Sequence, residues 1–379
     1  MVSWPHPSSR AAVDPFRVME VMRAAEERAA TGHDVLHLEV GQPATSAPAG
    51  VLEAAHRALD DNVLGYTTAK GLPQLRARIA EHYDSWYQHS IDPEQVIITT
   101  GASGAFVLAF LAAFDAGNRV VVPSPGYPCY RNMLGAYGVE VVDLLTTIDT
   151  RFQPTPELLE PLLPFDGLVV ASPSNPAGTM IGGDELAELA GFCHENQVRL
   201  VSDEIYHGIT YGEAAHTAIA HSTSAVVAQS FSKYFSMTGW RLGWIVAPPD
   251  LVTPLERLGQ NFAIAAPTLS QVAACAAFDC HDELEANVAR YQQNRQLLLD
   301  GLPKAGMDKL APADGAFYVY ADVSTLGDSR ELSAQWLADL GIASTPGVDF
   351  DPARGTEFIR FSYAGDTADI AEAIRRLQK

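Results

Sequence analysis

Seven short runs of β-branched and aliphatic residues, at 96–100, 119–123, 139–145, 167–172, 199–202, 225–229 and 242–247, most limit what this 379-residue chain can become. Each run is apolar nearly throughout rather than alternating, and helical or turn segments separate them. A strand apolar on both faces must be covered on both, so the pattern predicts a mostly parallel sheet sandwiched by helices. Ligands in such α/β sheets sit beyond the carboxyl ends of the strands. The length allows about two domains, each able to bury its own core.

Five strand ends carry residues that stand out. After 96–100 comes Gly101-Ala102-Ser103-Gly104, small residues opening a helix whose free N–H groups and hydroxyl make an anion site. The stretch is not G-x-G-x-x-G, which argues against a dinucleotide fold. After 119–123, Tyr127 is presented between Gly126 and Pro128, for stacking on a flat ligand or for plain packing. After 167–172, Asn175 is held extended before Pro176, so its amide is aimed. After 199–202 come Asp203 and Tyr206; an acid ending an apolar strand is costly to bury alone, so Asp203 predicts a partner. After 225–229 the chain delivers Ser230 and Lys233, with Arg241 beyond them between Gly239 and Gly243. Read alone, that segment is also compatible with a helix-start serine and a surface lysine. Earlier, a strand at 35–40 ends on Gly41, a turn or a close approach to a ligand. Tyr66 stands on a glycine-flanked loop, packed at the surface or reaching outward.

Helices are expected at 15–30, 49–60, 74–86, 254–262, 330–340 and 366–377, with one long amphipathic run from 268 to 302 and further strands at 317–323 and 356–361. A boundary inside the long helix, near 280–285, separates a large domain, 46–283, from a smaller α+β domain built of 1–45 and 284–379. A net charge of -21 excludes nucleic acid and anionic membrane surfaces as natural partners. The longest apolar run, 105–114, is too short to cross a bilayer, and residues 1–7 lack the build of a signal peptide. Cys129, Cys193, Cys275 and Cys280 form neither zinc-type pairs nor a disulfide framework. A cytoplasmic protein with reduced thiols and no metal site is the expectation.

A lysine, an acid, an amide, a phenol, an aromatic ring and a helix-start anion site at one crevice form the ligand outline of pyridoxal phosphate. Ser230-x-x-Lys233 followed by Met237-Thr238-Gly239-Trp240-Arg241-x-Gly243 resembles the cofactor-lysine signature of the class I/II aminotransferases, fold type I pyridoxal phosphate enzymes. So do Tyr66-x-x-x-x-Gly71-x-Pro73-x-Leu75-Arg76, Ser172-Pro173-x-Asn175-Pro176-x-Gly178, Asp203-Glu204-Ile205-Tyr206 and Phe358-Ile359-Arg360-Phe361-Ser362, a match spanning about residues 15–375.

The resemblance implies a seven-stranded sheet with one antiparallel strand, a homodimer with shared active sites, and ping-pong transfer of an amino group from an L-amino acid to a 2-oxo acid. Lys233 then holds the cofactor as a Schiff base and shuttles the proton. Asp203 pairs with the pyridine nitrogen, Tyr206 and Asn175 bond the ring's phenolate oxygen, and Tyr127 stacks on the ring. Ala102, Ser103, Ser230, Arg241 and the second subunit's copy of Tyr66 hold the phosphate. Arg360 binds the substrate carboxylate, with Gly41 closing over it; its plain alternative is a structural ion pair. Gly239 and Gly243 let the turn around Arg241 bend back.

Two departures bear on substrate choice. Where the family often has Pro-Gly-x-x-Phe-Gly, Pro346-Gly347-Val348-Asp349-Phe350 runs on to Asp351, an acid expected near the entrance and unfavourable to acidic side chains. No second arginine for a dicarboxylate is assigned, Arg10, Arg131 and Arg257 being candidates. A carbon–sulfur β-lyase on the same fold and a non-catalytic pyridoxal phosphate-sensing module are the alternatives.

Overall fold

A computed structural model of the protein describes residues 6–61 and 63–379; the reading of residues 1–5 lies outside them. The chain opens with helix α1 (Arg17–Ala30), strand β1 (Leu36–His37), and helices α2 (Ala49–Asp61) and α3 (Pro73–Tyr87). The expected alternation follows as β2 (Val96–Thr99), α4 (Gly101–Ala113), β3 (Arg119–Ser124), α5 (Pro128–Ala136), β4 (Glu140–Leu145), α6 (Pro156–Leu159), β5 (Gly167–Ala171), α7 (Gly183–Glu195), β6 (Arg199–Asp203), β7 (Val226–Ser230) and β8 (Gly243–Val246). These strands form a seven-stranded sheet in the order β2-β8-β7-β6-β5-β3-β4. Only β8 runs antiparallel to its neighbours.

Strands β2, β7 and β8 are buried at every position, which is why their sequences are continuously apolar. The apolar run at 105–114 belongs to α4, whose Ala105, Phe106, Ala109 and Phe110 are buried in the core. Among the described residues, no helix is long and apolar enough to cross a membrane.

Beyond the sheet come α8 (Pro249–Phe262), α9 (Thr268–Ala274), α10 (His281–Gly301), β9 (Tyr318–Asp322), α11 (Ser329–Gln335), β10 (Ile342–Ala343), β11 (Thr345–Pro346), β12 (Phe358–Ser362) and α12 (Thr367–Leu377). Strands β11, β12 and β9 make an antiparallel sheet, and β1 pairs with β10 in parallel. The helix expected at 254–262 starts five residues earlier. Pro249 at its first position and Asp250 in its first turn give the start signal, and Pro254 is tolerated inside because Leu251, Leu255 and Gly259 are buried around it. The single long helix expected over 268–302 is in fact interrupted: α9 stops at Ala274, a 3₁₀ turn takes Ala277–Asp279, and α10 restarts with Asp282 and Glu283 in its first turn. Acidic residues at a helix start favour that restart.

Candidate active site

The carboxyl ends of β2, β3, β5, β6 and β7 open onto one cavity of about 630 Å³. Of the sequence-predicted residues, Gly41, Ala102, Ser103, Tyr127, Asn175, Asp203, Tyr206, Lys233, Arg241 and Arg360 line it. Ser230 and Tyr66 do not.

Lys233 follows β7 and donates from Nζ to the Gly41 carbonyl at 2.5 Å. That contact depends on glycine, because a Cβ at residue 41 would lie 1.8 Å from the Tyr318 hydroxyl. Burial, with the nearby positive charge of Arg360 adding to it, pulls the lysine down to about 8, while Asp203 works the other way. Asp203 ends β6, the neighbour of β7. Its Oδ1 accepts the Ile205 N–H at 3.0 Å and its Oδ2 accepts the Tyr130 hydroxyl. Burial nonetheless raises its carboxyl to about 6. Part of the partner that sequence reasoning demanded is therefore Tyr130, a residue it did not name; its place three residues after Tyr127, one helical turn along, was the available signal.

The Tyr206 hydroxyl is 2.7 Å from that of Tyr318, a second aromatic missed from sequence. Arg360, on β12, is 2% exposed. Its guanidinium lies between the Tyr318 and Phe350 rings, 4.4 and 4.7 Å from their centroids. Nη1 donates to Asn175 Oδ1 at 2.8 Å and Nη2 to the Glu39 carbonyl, while Nε is buried without a partner. Among the described residues no carboxylate pairs with it, so a structural ion pair does not account for this arginine; it is a fixed, partly unsatisfied cation at the cavity wall.

The helix-start cradle is built around two glycines. Gly101 has φ +75°, and a Cβ there would fall 2.6 Å from Arg241 Nη2, so the guanidinium sits against the start of α4, whose first N–H groups lack intrahelical partners. A Cβ on Gly243 would lie 2.6 Å from the Gln229 carbonyl oxygen and 3.0 Å from Ala102 N. Gly239 has nothing within 4 Å, so the expected need for glycine holds at 243 and not at 239. Ser230 turns inward: its Oγ donates to the Leu242 carbonyl at 3.1 Å and accepts the Ser232 N–H at 3.0 Å. Ser232 and Thr238 line the cavity in its stead. Tyr66 is 84% exposed and away from this cavity.

Asp351 is not at the entrance. It is buried, with Oδ2 paired to Arg354 Nη2 at 2.7 Å and Oδ1 accepting the N–H groups of Ala353 and Arg354, because a carboxylate there needs that cation and those donors. It therefore offers the cavity no charge. Arg131 pairs with Asp143, and neither it nor Arg10 nor Arg257 lines the cavity. Among the other lining residues, Phe16, Val18, Met19 and Met22 with Val40 and Met133 give the cavity an apolar wall.

This α/β topology brings a buried lysine, a buried arginine and the glycine-built start of α4 onto one cavity at the carboxyl ends of the strands. The chain belongs to the class I and II aminotransferases, whose family model matches residues 33–377. It is 52% identical over 374 residues to the valine–pyruvate aminotransferase of Mycobacterium tuberculosis, covering 97% of this chain and 96% of that one. A crystal structure of an aminotransferase from Mycobacterium tuberculosis superimposes with a TM-score of 0.97 at 51% identity, covering 99% of this chain and 98% of the other. Thermus thermophilus aspartate aminotransferase with maleate gives 0.93 at 30% identity, with 99% of both chains covered. The protein is thus an aminotransferase, which moves an amino group from an amino acid to a 2-oxo acid, in a family that generally depends on pyridoxal phosphate.

Proposed function

We propose that this cavity holds pyridoxal phosphate and takes neutral aliphatic L-amino acids as donors, with small 2-oxo acids such as pyruvate as acceptors, in a ping-pong cycle. The observation that carries the donor class is the apolar wall lining the cavity, with Arg241 and Arg360 the only arginines among its described lining residues. A dicarboxylate side chain would be desolvated there without a cation, at a cost of several kcal/mol. The 52% identical relative named for valine and pyruvate points the same way.

The residues fit the cofactor. Lys233 would hold it covalently, Asp203 would pair with its protonated ring nitrogen, and Tyr206 and Asn175 would face its phenolate oxygen. Tyr127 would cover the ring, and the start of α4 with Ser103, Ser232 and Arg241 would hold its phosphate. When bound, pyridoxal phosphate supplies a carbonyl for the amino group and a ring that accepts the electrons freed at Cα. Arg360, fixed between two rings, would orient the substrate carboxylate and thereby place Cα. Lys233 Nζ, neutral in part because burial favours the uncharged amine, can take the Cα proton and return it.

Steady-state assays of donors against pyruvate, 2-oxoglutarate and oxaloacetate test this, with valine-like donors and pyruvate expected to lead. A marked preference for aspartate or glutamate would sink the donor class.

The same reading includes a homodimer. Tyr66, Val63 at 98% exposure, Phe262 and Ile264 leave apolar surface uncovered on one chain, and Ser103 and Arg241 open the cradle to the outside. It also divides the chain into 46–283 and 1–45 with 284–379, supported by the separate sheets and the break before α10. Four unpaired cysteines support a cytoplasmic setting.

A further inference from the structure

Helix α1 and its N-cap residue provide four of the six wall residues, yet of the helix's fourteen residues only Val18 and Ala25 are buried. Phe16, at its N-cap, contributes no side-chain hydrogen bond, so the first backbone N–H groups need an acceptor from elsewhere. Asp349 supplies it from the far end of the chain: Oδ1 accepts the Arg17 N–H at 3.0 Å and Oδ2 the Val18 N–H at 3.2 Å. A carboxylate in that place also meets the positive end of the helix.

Asp349 is buried, in the 3₁₀ turn Gly347–Asp349. The next residue, Phe350, covers the Arg360 guanidinium, and its carbonyl accepts the Gly126 N–H at 3.0 Å, in the loop that carries Tyr127. Phe16 in turn meets Tyr127 edge-on, with ring centroids 5.9 Å apart. One turn therefore touches the carboxylate grip, the Tyr127 loop and the start of the side-chain wall. The other end of α1 is tied separately, Arg28 Nη1 donating to the Ala338 carbonyl at 2.8 Å. Losing the Asp349 contact would release only the end that bears Phe16, Val18, Met19 and Met22.

We propose that Asp349 is a positioning residue for donor selection: by capping α1 from the turn that also covers Arg360, it fixes the distance between carboxylate grip and apolar wall, and so the side-chain length and branching accepted. This rests on the aliphatic-donor reading above.

The test uses the holoenzyme and its Asp349→Asn and Asp349→Ala variants, following the donor half-reaction through the cofactor's absorbance with alanine, 2-aminobutyrate, valine and leucine. Alanine, with the shortest side chain of the four, should change less than about twofold, whereas valine and leucine should lose about tenfold in apparent affinity in Asp349→Ala, with the saturating rate nearly kept. Asp349→Asn, which retains one acceptor oxygen, should fall between, and carries the test alone if the alanine variant does not fold. Hydrogen exchange should quicken at residues 17–22 and not in α12. An equal loss for all four donors, or unchanged valine and leucine affinity, overturns the proposal. Wild-type enzyme that favours aspartate over valine refutes the donor class instead, a comparison made before any variant enters.

Discussion

Replacing Asp203 with asparagine is expected to stabilise the cofactor-free protein near neutral pH while abolishing turnover. Burial lifts this carboxyl from 3.8 to about 6, which corresponds to about 3 kcal/mol. The sign follows from which state holds the proton more tightly. The folded protein does, so as pH rises past 3.8 the unfolded chain ionises first and stability falls, until above about pH 6 the full amount is lost. Asparagine does not titrate, and its Oδ1 can still accept from Tyr130 or from the Ile205 N–H. Urea midpoints of cofactor-free wild type and Asp203→Asn, taken between about pH 4 and pH 8, should separate as pH rises and then run parallel. Adding pyridoxal phosphate should narrow the gap, because on the proposed reading its protonated ring nitrogen would be the cationic partner for the wild-type carboxylate. A gap independent of pH, or a variant less stable than wild type at pH 8, would refute the reasoning.

Two shorter predictions accompany it. Gly101→Ala forces a left-handed φ on a residue with a side chain and pushes its Cβ toward Arg241, so cofactor affinity in a fluorescence titration should fall about tenfold or more; unchanged affinity would remove the cradle from phosphate binding. Light scattering should return twice the 40.8 kDa chain mass, and a monomer that retains full activity would rule out shared sites.

The sheet was legible because continuous burial leaves a direct mark on sequence, and the strand-end residues because the polypeptide has few other reasons to place Asp203, Asn175 or Lys233 there. What escaped was set by contacts between distant segments. Ser230 and Ser232 are two residues apart, and only the inward bond to Leu242 decides which hydroxyl meets the cavity. Asp351 reads as an entrance charge in the sequence, but in the fold Arg354, three residues on, pairs with it and holds it inward. Tyr318 and the wall on α1 come from segments near opposite ends of the chain, and no local periodicity announces that they share a cavity. Strands β10 and β11, at two residues each, are too short to carry a period at all.

The adjacency of β6 and β7 has a wider consequence. Asp203 pairs in register with Ala228 on the strand that leads to Lys233, so a backbone ladder fixes the acid against the strand from which the lysine's turn departs. The apolar wall hangs instead on α1, outside that ladder and held at its start by a single carboxylate. Descendants of such a chain could exchange one donor for another by altering a terminal helix and one turn, inheriting their proton chemistry unchanged with the sheet.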